Sequence, residues 1–247
     1  MLYSFSKSRR KILIRIYLTV FFVLLLPFNS ASADTGDVLK KFVAPLYGET
    51  SRKTLLTGTL LTTFFYTTRK TIGNPLQKDM AEDRPMGNLA HFGDTMGQMI
   101  PNIAYMAATH ILRNKGRNRQ RRNLMFETTL FTALTTNTLK TVVGEERPSG
   151  GDTRSFPSGH TANAFAFAAV VGIEHGKKWG IPAYALASIV AASRMNDNAH
   201  YLHDVVAGAT LGISYAYGIN ALNKKSEGNL GFAPYKDGGM FSYQRNF

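Results

Sequence analysis

No cysteine occurs in the 247-residue chain, so no disulfide holds its fold and stability has to come from a packed core. Acids are scarce: 16 Asp and Glu stand against 29 Lys and Arg, a net charge of +13. Such a balance suits anionic partners, namely phosphate compounds, acidic lipid surfaces or nucleic acid. Sustained polar–apolar alternation is missing until the last residues, which excludes a large sheet. Long apolar runs are also few. After Ala33 no segment is a convincing membrane span. Val205–Leu222 lacks charges, but its glycines, Ser214, Tyr215, Tyr217 and Asn220 make it only moderately apolar, which reads as a buried core helix.

The N-terminus carries what the rest lacks. Lys7, Arg9, Arg10, Lys11 and Arg15 precede a 13-residue apolar run, Ile16–Phe28, and then Ser30-Ala31-Ser32-Ala33. This is the pattern of a secretory signal cut before Asp34, giving residues 1–33 as signal peptide and a periplasmic or other extracytoplasmic location. An uncleaved anchor extended back through Ile12 is the alternative. Removing those residues takes away five Lys/Arg and no acid, lowering the net charge from +13 to +8. Export argues against a nucleic-acid partner. The remaining residues 34–247 suffice for a single domain.

Taken in order, Asp34–Arg52 is irregular with one short helix around Val38–Phe42. Lys53–Thr68 reads as a first core helix, its threonines leaving strand as an alternative. Arg69–Pro85, with Gly73-Asn74-Pro75, reads as a loop. Gly87–Leu112 has helical apolar spacing, kinked or divided by Pro101. Asn114–Arg122 reads as a basic turn, either a solvated loop or a footing on anionic lipid head groups. Asn123–Val143 is a helix, Glu145–Pro157 a loop, and His160–Gly176, Ile181–Met195 and Tyr201–Leu222 are further helices. About six helices make an all-α bundle. At the tail, residues 229–247, Lys236-Asp237-Gly238-Gly239 followed by alternating Phe241, Tyr243, Arg245 and Phe247 predicts a small hairpin.

Three segments carry the chemistry. Lys140 ends one helix, with Arg147-Pro148 after it; Pro157-Ser158-Gly159-His160 begins the next; Arg194 closes the return helix, and His200 and Asp204 follow it. An outgoing and a returning helix bring all of these to one end of the bundle. If a helix opens near His200, Asp204 lies one turn along the same face and fixes the imidazole tautomer. A polar first turn is the plainer account of that segment alone. Lys140, Arg147 and Arg194 are three cations suited to a phosphate dianion. The Ser158 hydroxyl can donate to phosphate, Gly159 allows close backbone approach, and helix N-termini at Ser158–His160 and His200 add free N–H groups. No carboxylate cluster suited to a metal accompanies them. The cations around His160, His200 and His203 would repel one, so neither metal nor cofactor is expected. The chemistry implied is phosphoryl transfer through a phosphohistidine, with His200 as nucleophile and His160 as general acid and then base. His203 competes for the nucleophile's role, but its place on the helix reads as structural.

The pattern K-x₆-RP, PSGH, SR-x₅-H-x₃-D matches all eleven specified positions and resembles the type 2 phosphatidic acid phosphatase superfamily, which includes bacterial class A acid phosphatases and is related to vanadium haloperoxidases. The resemblance implies a metal-independent phosphatase on a helical bundle. Its substrate would be a phosphorylated lipid (phosphatidate, an isoprenyl pyrophosphate or a lipid A type), and the basic charge of the chain suits peripheral contact with an anionic membrane surface. The alternative is a non-specific acid phosphatase acting on small soluble phosphate esters.

Overall fold

The computed structural model describes residues 35–112, 115–226, 229–235 and 238–244. The signal-like residues 1–33 and the turn residues Lys236 and Asp237 lie outside them. The chain divides into two compact units, Met1–Leu39 and Lys40–Phe247, the second of which carries the bundle.

The α-helices are α1 (Thr35–Phe42), α2 (Glu49–Thr67), α3 (Asn74–Asp83), α4 (Asn88–Gly97), α5 (Ile100–Ile111), α6 (Lys115–Val143), α7 (Gly159–His175), α8 (Lys177–Asn196) and α9 (Leu202–Ser226). A 3₁₀ turn (Ala44–Leu46) and a π-helical turn (Arg69–Gly73) join them, and an antiparallel hairpin of β1 (Asn229–Tyr235) and β2 (Gly238–Gln244) follows, with Asn229 opposite Gln244 and Tyr235 opposite Gly238. The expected all-α bundle is borne out, with nine α-helices among the described residues rather than about six.

The surplus has local causes. Arg69–Pro85 is not a loop, because Pro75 occupies the first turn of α3, where its missing N–H and fixed φ suit a helix start. Of the expected turn Asn114–Arg122, Asn114 lies outside the described residues and the rest is helical. From Lys115 onward its Lys, Arg and Gln residues are good helix formers and simply extend α6. The division expected near Pro101 falls at Gln98 and Met99, with Pro101 again in a first turn.

α7 is the central helix. Ala162, Ala166, Ala168, Ala169 and Val170 along it are fully buried, and α6, α8 and α9 pack on it. Its small side chains let neighbours come close. A Cβ at Gly212 of α9 would lie 2.3 Å from the Ala162 carbonyl oxygen. Tyr215 of α9 ties two neighbours together, its hydroxyl lying 2.6 Å from Thr135 Oγ1 and donating to the Phe42 carbonyl at 2.7 Å.

The segment read as a first core helix is helical, but most of its leucines lie outside the core. α2 buries Ser51 and Gly58, while Leu56 and Leu60 are 63% and 62% exposed and Leu61 and Phe64 are about half exposed. Close approach decides this: a Cβ at Gly58 would stand 2.0 Å from Thr210 Oγ1, so the small face meets α9 and the leucines turn outward. α9 itself is long and apolar enough to cross a membrane by composition, yet more than half of its apolar window is buried inside the protein.

Candidate active site

α8 ends at Asn196, and a left-handed Asn198 turns the chain so that the Ala199 and His200 amides both bond the Arg194 carbonyl, at 3.0 and 3.2 Å. α9 starts only at Leu202. His200 therefore precedes the helix instead of opening it, which corrects the expectation of two side chains one turn apart on one face. Asp204 meets it another way. Its Oδ2 accepts from the Tyr201 amide at 2.9 Å, capping the first turn of α9, and from the Ser155 hydroxyl at 2.6 Å, with His200 Nδ1 at 3.5 Å. His200 is 2% exposed and Asp204 fully buried. Burial lowers the His200 pKa against the pull of Asp204. For Asp204 burial acts upward, but the His200 bond, the His203 charge and the Ser155 bond outweigh it and hold the carboxyl below its usual range.

With Nδ1 turned to the carboxylate, His200 presents Nε2 to the loop after α6. There Arg147 Nη1 stands 3.3 Å away, while the same guanidinium donates to the Ala199 carbonyl at 3.0 Å and through Nε to Asp152 at 2.7 Å. Lys140, in the last turn of α6, donates to the Arg154 and Ser155 carbonyls at 2.6 and 3.2 Å. Burial, then the neighbouring Arg147 charge, pushes its pKa down to about 8.

Ser158 caps α7: its Oγ accepts from the Thr161 amide at 3.5 Å and lies 3.0 Å from Thr161 Oγ1. It is fully buried, so the hydroxyl expected to meet phosphate is engaged in holding the helix start. A Cβ at Gly159 would sit at ordinary contact distance from Thr136 and the Lys140 stem, which puts that amide beside the lysine.

His160 and Arg194 form the other side. Arg194 is buried; its Nη1 donates to Asp94 Oδ1 at 2.5 Å, its Nη2 to Asp197, and its Nε to Ser193 Oγ at 3.3 Å. His160 Nε2 lies 3.3 Å from the same Asp94 oxygen. Burial, then Arg194, His200 and Arg147, press the His160 pKa down to about 4 against the opposing pull of Asp94. The His200 charge is thus among those that act on His160. Among the described residues, three of the five N–H groups of Arg194 meet side chains, which leaves two.

The carboxylates and the hydroxyl around these cations escaped the sequence reading. Asp94 is the lone acid of α4, between Gly93 and Gly97; Ser155 stands three residues before Ser158; Asp152 stands two residues before Arg154 and Asp197 three after Arg194. Their signal was one of position only. His203 is nearly fully buried, with Nε2 3.0 Å from both Glu145 oxygens and 3.3 Å from Asp204 Oδ1, and its ring stacks 5.5 Å from Tyr201. Glu145, His203 and Asp204 are the described residues whose spacing could hold a metal ion. His203 Nε2 pairs with Glu145 there.

Beside the site an open cleft of 720 Å³ is lined by Lys70, Asn74, Gln77, Pro148, Asn198 and Tyr201 among others. Pro148 and Tyr201 are the immediate neighbours of Arg147 and His200, and α3 forms the facing wall.

Residues 123–227, which contain all three motifs, match the model of the PAP2 superfamily. A lipid A 1-phosphatase of Porphyromonas gingivalis is 33% identical over 126 residues, covering 49% of this chain and 28% of that protein, so the match spans little more than a quarter of the relative. The crystal structure of LpxE from Aquifex aeolicus superposes with a TM-score of 0.50 at 21% identity, covering 62% of this chain and 96% of that one. A transmembrane PAP2 type phosphatidylglycerolphosphate phosphatase from Bacillus subtilis gives a TM-score of 0.42 at 18% identity, over 84% of this chain and 96% of that one.

Proposed function

We propose that this chain, a member of the PAP2 superfamily, is a metal-independent phosphatase acting on the phosphomonoester or pyrophosphate of a lipid through a phosphohistidine. The observation that carries the reading is His200: buried, backed at Nδ1 by Asp204, with Nε2 facing a guanidinium that can hold a phosphate oxygen. In the first step His200 Nε2 bonds to phosphorus, the bond to the leaving oxygen breaks, and protonated His160 gives that oxygen its proton. In the second, water attacks the phosphohistidine, His160 takes the water's proton, and the N–P bond breaks. Lys140, Arg147 and Arg194 balance the charge that spreads over the phosphoryl oxygens. No step needs a metal.

A lipid substrate is supported by the outward stripe of Leu56, Leu60, Leu61 and Phe64 on α2, an apolar face of the kind that meets acyl chains. The arginine-rich start of α6 gives peripheral contact with anionic head groups. Export by residues 1–33 would deliver residues 34–247, as one phosphatase domain, to a periplasmic or other extracytoplasmic surface.

The test is acid-quench trapping with a ³²P-labelled lipid phosphate in detergent, alongside phosphate release from that lipid and from p-nitrophenyl phosphate. The expected result is label on His200 and preferential turnover of the lipid. Equal turnover of both would favour a soluble-ester acid phosphatase, and label elsewhere would remove His200 as nucleophile.

A further inference from the structure

Asp94 belongs to none of the three motifs and comes from α4, yet its Oδ1 touches two of the residues they specify. It lies 2.5 Å from Arg194 Nη1 and 3.3 Å from His160 Nε2, while Oδ2 accepts from Gln98 Nε2 at 3.2 Å. The helix that carries it is pressed onto the site by its glycines. A Cβ at Gly97 would stand 2.7 Å from His160 Cβ, and one at Gly93 would stand 2.6 Å from Ser193 Oγ. The α4 backbone thus rests on the base of the His160 ring and on the residue before Arg194. A carboxylate one position after Gly93 has little freedom to be anywhere else.

We propose that Asp94 is the positioning residue of the acid histidine, holding His160 by Nε2–H so that Nδ1 is the nitrogen that gives and takes the proton. The inference rests on the phosphohistidine reading above. An ion pair that served Arg194 alone would not need an imidazole on the same oxygen. The arrangement mirrors the other half of the site, where Asp204 holds His200 by Nδ1 and leaves Nε2 for phosphorus. Each carboxylate fixes one ring nitrogen and so frees the other. The groups whose charges act on His160 are Arg194 from α8, Arg147 and His200 from the loops, and Asp94 from α4. Asp94 alone among them favours the imidazolium. As the leaving oxygen parts from phosphorus it takes the Nδ1 proton, Nε2–H stays on Asp94, and neutral Nδ1 then accepts the proton of the attacking water.

The experiment has two arms. In histidine-¹⁵N-labelled wild type, assigned by comparison with His160→Gln, neutral His160 should be the Nε2–H tautomer; the Nδ1–H tautomer would overturn the proposal. In Asp94→Asn, kcat on an alkyl phosphate should fall ~30- to 100-fold and on p-nitrophenyl phosphate less than ~5-fold, since a good leaving group needs little acid assistance. The alkaline limb of kcat should move to lower pH, and vanadate should bind at least as tightly as in wild type because Arg194 keeps its free donors. Equal losses on both substrates with an unmoved limb, or lost vanadate binding, would mean that Asp94 only braces the structure. If the variant does not fold, the wild-type tautomer decides alone. A wild type without turnover would end the phosphatase reading but leave the tautomer result standing.

Discussion

Arg147 Nη1 stands 3.3 Å from His200 Nε2, across 53 residues of sequence, and the same nitrogen donates to the carbonyl of Ala199. A guanidinium cannot lose its proton here, so Nε2 must be the acceptor and the ring proton must sit on Nδ1, toward Asp204. The resting site thus already holds the tautomer that attack requires. A phosphate oxygen that draws Arg147 to itself uncovers the nucleophile's lone pair.

Removing that guanidinium should therefore damage both binding and chemistry. Arg147→Ala is expected to lower kcat/KM ~10²- to 10³-fold, the usual loss for one preorganised donor at a developing charge. Vanadate inhibition should weaken in parallel, and steady-state kinetics with and without vanadate check both.

Two pKa displacements set the pH behaviour. Lys140, pushed to about 8, loses its charge as pH rises through that value, whereas Arg147 and Arg194 keep theirs. The inhibition constant of inorganic phosphate should rise ~10-fold or more between pH 7 and 9.5, the worth of one charge-assisted hydrogen bond.

His160, pushed to about 4 in the free site, is neutral near pH 7, and a bound phosphate dianion raises it by favouring the imidazolium. The alkaline limb of kcat/KM, which reports the free enzyme, should consequently lie at lower pH than that of kcat. Coincident limbs would show that His160 is not the acid.

Chelation should leave turnover intact. EDTA dialysis followed by assay is expected to change activity less than ~2-fold, because cations of the chain, not a metal, face the phosphate. A loss restored by added Zn²⁺ would point instead to Glu145, His203 and Asp204.

Packing around α7 offers a test independent of activity. Gly212→Ala forces a methyl to within 2.3 Å of the Ala162 carbonyl oxygen and should cost ~1–3 kcal/mol or more. Gly116→Ala, with nothing among the described residues within 4 Å, should gain up to ~1 kcal/mol from helix propensity alone. Denaturant melts of the two variants check the contrast.

The three motifs were legible because each joins a charged or hydroxyl residue to a turn or cap at fixed spacing, as in Ser158-Gly159-His160. The bundle was legible from apolar periodicity. Two things were not. The facing of α2 depended on Gly58 meeting Thr210, and hydropathy assigns leucines inward without knowing where a neighbour's backbone comes near. Asp94 depended on a contact 100 residues away with Arg194, which no local pattern contains. Spacing alone reads His200 as the opening of α9, because it does not distinguish a residue of the helix from one folded back over its first turn.

The continuity of α6 has one more consequence. Arg117 and Lys140 are ends of one rod, separated by ~35 Å at 1.5 Å per residue. In ~0.15 M salt the Debye length is ~8 Å, so the arginines at one end exert no appreciable field on a phosphate at the other. Ionic strength therefore acts on them as on a separate device: it can loosen whatever those arginines grip without touching how the pocket holds its anion.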